Sequence, residues 1–330
     1  MQGSAQWSVI RIKTNKIIQN LTETSLKTQK RFLLNISKYS YYICVIYQIV
    51  TIFANKIVIM AKTENITEWI KSKPPRGKYT FSREEVLSAF PDMKPEVIST
   101  KISREVKKGK IMIPVQGFYV IIPDEYALRG FAPQPFYLDE MMRHLKRRYY
   151  VALMSAGNYQ GAGHQAPMTF CVMLEPPAMH DKQTGKYSTR YFYRSHIPVE
   201  YVERRLTRTG YINISCPELT AVDLIAYQAR SGSITRAATV LAELVEKTDF
   251  QKYGTEFVKI APTACFQRLG YILENILDEK KVADDVYTLL KDASVRMQPA
   301  ALKPGKPTNG CQMNARWKIL VNELIEIDEL

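Results

Sequence analysis

Four histidines, five cysteines and 32 acidic residues are the groups that could do catalysis or hold a metal, and their spacing offers little chemistry. Cys44, Cys171, Cys216, Cys265 and Cys311 are scattered without a CxxC, so zinc-ligand spacing is absent, and their odd number argues against a disulfide framework. Reduced thiols in a cytosolic protein account for them. His164 lies in the glycine-flanked GAGHQAP; a general base there needs a nucleophile or carboxylate partner, and the sequence identifies none. A structural histidine is the simpler reading. Glu218 and Asp223 could share a metal, but five residues do not align them on one helix face. Glu218 also reads as the carboxylate of a capping box, Ser215-Cys216-Pro217-Glu218. Glu279-Lys280-Lys281 formally matches the ExK of restriction-type nucleases, yet it falls in a charged turn between helices. Walker A, GxGxxG and GxSxG are absent. No catalytic residue, metal or cofactor is assigned.

Binding chemistry is more legible. In KPEVISTKISREVKKGKIMIPVQGFYVIIP (94–123), Ile98, Ile102 and Val106 recur every four residues with Val97 beside them, which predicts one apolar helix stripe. The other face carries Ser99, Thr100, Lys101, Ser103, Arg104, Lys107 and Lys108, with Glu105 the single acid among them. Gly109 is the helix stop. IMIPV and FYVII, joined across Gln116-Gly117, predict a hairpin. A cationic helix followed at once by a hairpin is how a winged helix-turn-helix ends, the helix in the major groove and the wing beside the backbone. Hydroxyls and Arg can read base edges, while lysines mainly neutralise phosphate. The candidate contacts are therefore Ser99, Thr100, Lys101, Ser103, Arg104, Lys107 and Lys108 on the helix, with Lys110 and Gln116 on the wing. A solvated charged helix packed on a hairpin is the plainer alternative.

The elements that would position this helix precede it in order. Ile66, Trp69 and Ile70 lie at helical spacing and Pro74-Pro75 ends that helix; Tyr79–Phe81 is extended. Ser82 opens SREEVLSAF as a capping box with Glu85, and Lys94-Pro95 starts the basic helix. Residues 124–148 form a bridge whose helix, YLDEMMRHLKRRYY, turns Leu138, Met141, Met142 and Leu145 inward. Its basic run of Arg143, His144, Lys146, Arg147 and Arg148 is either a second phosphate contact or a solvated face. Beyond it, 149–168 reads as an apolar helix with a glycine turn. TFCVMLEPP and STRYFYRSHIP read as an antiparallel strand pair, VEYVERRLTRTG as a basic helix and YINI as a strand. Helices are expected from Leu219, from Ser233 to Val245, near 263–277 and near 284–292. The aromatics Tyr187, Tyr191, Phe192 and Tyr193 with Arg190 and Arg194 could stack bases, though cross-strand packing is the commoner use. The expected class is α+β: an N-terminal winged helix-turn-helix, then a helix-rich mixed α/β C-terminal domain.

Length and charge fit this plan. The 330 residues suffice for two cored domains, and the hydrophobic content of 46% is that of a globular protein. Of the formal charge of +14, half sits in residues 1–59, which hold eight Lys/Arg and one acid, no proline and one glycine. The stretch 41–60 is apolar, but Gln48, Asn55 and Lys56 interrupt it, so it falls short of the ~20 apolar residues needed to span a bilayer. The Ile/Lys/Asn/Tyr bias of 1–59 is what AT-rich DNA yields when translated, and Met60 is the expected native start.

Three stretches in order resemble the AbiEi family, the antitoxins of bacterial type IV toxin–antitoxin and abortive-infection systems. They are KKGKIMIPVQGFYVIIPDEYA, YYVALMSAGNYQGAGHQAPMTFCV, and GYINISCPELTAVDLIAY with AATVLAELVE and FQRLGYILE after it. The resemblance covers nearly all of 60–330 and implies a division into a DNA-binding domain at 60–123, a bridging helix at 124–148 and an antitoxin domain at 149–330. It also implies a cytoplasmic, non-enzymatic phage-defence protein that binds inverted repeats in its own promoter. Its functional partner would be a nucleotidyltransferase-fold toxin, AbiEii-like, opposed without a stable complex, and no membrane would be involved. The alternative from another class is a free-standing winged-helix regulator whose second domain senses a ligand or partner.

Overall fold

The computed structural model describes residues 50–51, 65–163, 168–184 and 187–327. Apart from Val50 and Thr51, the expectations for 1–59, for Met60 and for His164 fall outside them. The chain divides into two compact units, 1–69 and 70–330. The first is described mainly at its end, where the helix Ile66–Lys71 begins.

In the second unit, strand β1 (Thr80–Ser82) leads into the helix Arg83–Ala89, then the helix Pro95–Lys107 and the hairpin β2 (Ile111–Val115) and β3 (Phe118–Ile121). The Ser82 capping box forms as its sequence predicts, its hydroxyl accepting from the Glu85 amide and the Glu85 carboxylate accepting from the Ser82 amide. Strand β3 lies between β1 and β2, antiparallel to both. Gly117 closes the Gln116-Gly117 turn at φ 77°, a conformation that favours glycine.

The larger sheet has six strands in the order β6-β7-β5-β4-β9-β8. They are β4 (Tyr149–Val151), β5 (Thr169–Leu174), β6 (Lys182–Thr184), β7 (Tyr187–Tyr193), β8 (Val202–Thr207) and β9 (Gly210–Ser215). Its register explains the core. Tyr150, Met173 and Phe192 align across three strands, and so do Val151, Val172 and Tyr191, with Val151 opposite Ile214 as well. Because side chains alternate along a strand, the two rows point to opposite faces. The first row packs with Leu219, Val222, Leu241, Phe257 and Leu269 from the helical side. The second packs with Leu138, Met141 and Met142 of the helix Leu138–His144, and with Phe118 and Val120 of the hairpin. Both faces are buried, and each fully buried large side chain contributes about 1.5–3 kcal/mol.

Three local expectations are corrected. Residues 199–209 are not a basic helix: a 3-10 turn, Val199–Tyr201, gives way to β8, which pairs antiparallel with β9 across Arg208-Thr209. The periodicity of VERRLT does not by itself select a strand; the pairing partner decides for it. Tyr149 to Met168 is not one helix, since Tyr149–Val151 is a central strand and only Leu153–Tyr159 is helical. A strand buried on both faces reads as an apolar run, which sequence periodicity does not separate from a buried helix. Finally, β5 and β7 are parallel, because β6 intervenes and is itself the antiparallel partner of β7. The helices near the C-terminus run Thr263–Asn275 and Lys280–Asp292. The mixture of helix and sheet is the α+β class that the sequence predicts.

Candidate nucleic-acid interface

The helix Pro95–Lys107 buries Ile98 and Ile102 at 2% exposure each, and leaves Ser99, Thr100, Ser103, Arg104, Lys107, Lys108, Lys110 and Gln116 exposed. Lys101 is half-buried on the flank. Two positions depart from the expected stripe. Val97 is 42% exposed, and Glu105 is the buried one, at 4%. At about 100° per residue, Glu105 falls within about 20° of the direction of Ile98, whereas Val97 falls about 100° away from it. Lys108 reaches the Glu105 carboxylate at 2.7 Å, so this lysine is committed to the helix.

Of the candidate readers, Ser99 Oγ donates to the Pro95 carbonyl (2.9 Å) and Thr100 Oγ1 to that of Glu96 (2.8 Å). Both hydroxyls therefore offer lone pairs outward, suited to accept from a base amino group, while their protons are engaged. Lys101, Arg104, Lys107 and Lys110 form no ion pair among the described residues. Of the candidate contacts, the cations available to a polyanion are these four, running from the middle of one helix to the start of the hairpin.

The basic run after the bridging helix is mostly committed. Arg143 pairs with Asp139, and Arg147 donates to the carbonyls of Glu175 and Pro177. His144 lies against the Phe118 ring, centroids 5.4 Å apart. Arg148 is left exposed. The aromatic run of β7 packs as strands usually do, with Tyr191 and Phe192 buried.

On the far side of the six-stranded sheet, the helix Pro217–Ala226 carries two fully buried acids that the sequence does not partner. Glu218 accepts from the Asp249 amide (2.7 Å), from the Tyr253 hydroxyl (2.9 Å) and from Lys252 (2.9 Å). It does not cap the helix. The N-cap is Cys216, whose Sγ accepts from the Leu219 amide, while Ser215 Oγ bonds the Thr220 hydroxyl at 2.6 Å. Burial pushes the Cys216 thiol up to about 11, so it is an unreactive cap. Asp223 accepts from the Tyr150 hydroxyl (2.7 Å) and faces Arg194 at 3.5 Å; Arg194 also donates to that hydroxyl (2.7 Å) and to the Ile260 carbonyl (2.6 Å). The two acids hold the 249–260 segment and β7 to one helix, pointing about 140° apart on it, so they do not share a metal. No His/Cys/Asp/Glu cluster suited to a metal occurs among the described residues. An acid inside an apolar helix run such as LTAVDLIA is the signal that could have announced the network.

Burial also pushes the Asp223 carboxyl up to about 6, against the pull of Arg194 and the Tyr150 hydrogen bond. The folded state then holds that proton more tightly than the unfolded chain does. This group's contribution to stability is complete below about pH 4 and is lost as pH rises through about 6. Asp223→Asn, which cannot ionise, is expected to flatten that slope. Urea midpoints of both proteins between about pH 4 and 7 measure it, and parallel curves would remove Asp223 from the account.

The comparisons with known proteins concern this same region. Residues 150–275 match the family model described as the AbiEi antitoxin C-terminal domain. This span of the chain is similar to the AbiEi antitoxins. The matched span runs from Tyr150 to Asn275, so it contains Arg194, Glu218, Asp223 and Tyr253, and an antitoxin role in a toxin–antitoxin system follows from it. No curated protein matches the chain. A solved structure, that of the RV2827C protein from Mycobacterium tuberculosis, is similar in fold with a TM-score of 0.56 and 15% identity, covering 77% of this chain and 89% of that one. No helix among the described residues is long and apolar enough to cross a membrane.

Proposed function

We propose that this AbiEi-type antitoxin represses its own operon through residues 60–123, acting as a winged helix-turn-helix on inverted repeats, and counteracts a nucleotidyltransferase-fold toxin through 149–330. Residues 124–148 bridge the two, and the protein acts in the cytoplasm as a regulator of phage defence rather than as an enzyme. The observation that carries the DNA-binding half is the set of Lys101, Arg104, Lys107 and Lys110, uncommitted beside a hairpin, in a chain that also holds the AbiEi domain. Helix, strand, two helices and hairpin is the element order of that DNA-binding class.

Lys101→Ala with Arg104→Ala is expected to weaken promoter binding about a hundredfold or more while leaving thermal stability unchanged. Gel shift and a melting curve on the same preparation test it, and undiminished binding would refute the assignment. Wild-type affinity should fall with salt at a log–log slope of about −4 to −5, for ~5 phosphates neutralised per protomer. For the antitoxin half, the test is growth rescue from the neighbouring toxin gene. The Lys101/Arg104 variant should still rescue when the toxin is expressed from a foreign promoter. Loss of rescue in that variant, with no native operator present, would mean that the helix face takes part in antitoxicity itself. The reading as a free-standing regulator would gain if the neighbouring gene proved harmless.

A further inference from the structure

Strand β8 ends the six-stranded sheet, and among the described residues nothing pairs with its outer edge. Which backbone groups it leaves unused follows from its hairpin with β9. Residues directly opposite in an antiparallel pair alternate between exchanging backbone hydrogen bonds and not. Tyr201 lies opposite Cys216, one step beyond the Val202–Ser215 pair, and the Cys216 amide donates to the Tyr201 carbonyl at 2.9 Å. Glu203, Arg205 and Thr207 therefore bond to β9, while Val202, Arg204 and Leu206 turn their N–H and C=O groups outward. Such an edge is a template for another strand unless its side chains forbid pairing.

The side chains of VERRLT fit a second copy of themselves. Glu203 and Arg204 are exposed, and Leu206 is 70% exposed beside Tyr211 at 47%. Glu203 forms no ion pair among the described residues. Arg205 donates to the Tyr159 carbonyl and has further N–H groups to give. With Arg204 on a two-fold axis, it exchanges bonds with the partner copy's Arg204, and Val202 and Leu206 exchange them with each other across the axis. Every outward backbone group is then used, and Glu203 of each copy stands opposite Arg205 of the other. An axis through Glu203 or Arg205 instead bonds two residue pairs rather than three and sets like charges face to face. The two Arg204 side chains lie on the other face of the strand from the Glu–Arg pairs. Each is drawn over its own Tyr211 ring at 4.7 Å, which eases their repulsion.

We propose that β8 pairs antiparallel with β8 of a second copy of this chain, joining two six-stranded sheets across a two-fold axis. Leu206 of each copy then covers Val202 of the other, which removes exposed apolar surface from water. A contact one strand wide belongs with the small, weak interfaces, so the association is in the micromolar range. It uses none of the cationic-helix residues and does not depend on the operator-binding reading.

The test is sedimentation velocity of the full chain from about 1 to 200 µM, where a dimer should form with rising concentration. Glu203→Arg and Arg205→Glu should each weaken self-association at least about tenfold. Mixing the two variants should restore a dimer, because each then meets opposite charge at both positions. Arg204→Pro removes an outward N–H that β9 does not use, so it should abolish the dimer and leave the melting temperature unchanged. A melting curve for each charge variant checks that its fold is intact. Hydrogen exchange reads the edge itself: the amides of Val202, Arg204 and Leu206 should slow as the dimer forms. A monomer at every concentration would overturn the proposal; protection of those amides in it would mean that another segment of this chain holds the edge. A dimer indifferent to Arg204→Pro, or folded charge variants that stay monomeric when mixed, would overturn it as well.

Discussion

Arg194→Ala is expected to remove about 3–5 kcal/mol of folding stability at neutral pH, the range for stripping one partner from a buried ion pair. The guanidinium holds three groups at once: the Asp223 carboxylate, the Tyr150 hydroxyl and the Ile260 carbonyl. Without it, Asp223 is fully buried with the Tyr150 hydroxyl as its remaining hydrogen-bond donor. The rescue is as informative as the loss. Because the carboxyl titrates near 6 even with Arg194 present, protonating it should restore part of the stability, so the deficit should shrink between about pH 7 and 5. Adding Asp223→Asn to Arg194→Ala should do the same at neutral pH, giving a strongly non-additive cycle. Urea denaturation of the four proteins is the measurement. Additive losses, or a deficit below about 1 kcal/mol, would show that the pair acts as if exposed.

Gly270→Ala should also destabilise, against the usual sign for such a change. In a helix interior alanine is favoured over glycine by about 1 kcal/mol, and Gly270 lies within the helix Thr263–Asn275. A Cβ there would fall inside the van der Waals envelope of the Trp317 indole. That ring cannot easily retreat. It is fully buried, meets the Tyr287 ring edge-on at 5.4 Å, carries Arg316 over its face at 5.4 Å and donates its Nε1–H to Glu274. Overpacking of this kind costs about 1–3 kcal/mol. Trp317→Leu introduced with Gly270→Ala should recover part of the loss, although Trp317→Leu alone is destabilising. A higher melting temperature for Gly270→Ala would mean that the C-terminal segment is not seated on this helix as described.

The N-terminal elements were readable because they are local. A capping box, a proline-started helix and a Gln-Gly turn each lie within a few residues of the atoms they organise. The six-stranded sheet was less readable because its pairings are distant. Nothing near Val202–Thr207 says that Gly210–Ser215 will pair with it rather than solvate a helix, and nothing in Tyr149–Val151 announces burial from both sides. At the cationic helix, residue types pointed to the exposed face, but helical angle alone moved Glu105 inward and Val97 outward. Glu218 and Asp223 stood out in the sequence, but what they bond to did not, for a different reason. Their partners, Asp249 to Tyr253 and Tyr150 with Arg194, come from segments whose proximity only the fold creates.

One feature of the packing bears on how the two proposed jobs can be separated. Phe118 and Val120 of the hairpin share a hydrophobic cluster with Met141, Met142 and the β4–β5–β7 face of the AbiEi region, and the Ala132 amide donates to Met112 Sδ. If the hairpin is the wing of the proposed reader, a ligand that shifted the sheet and so changed operator affinity would have its own affinity changed by operator DNA by the same factor. Cutting the chain at residue 123 would then do more than delete a reader. It would lay bare the apolar wall under the hairpin, and the truncated protein's failings would report on solubility as much as on function. Surface substitutions on the helix face, which leave that wall covered, are the cleaner way to silence one activity and keep the other.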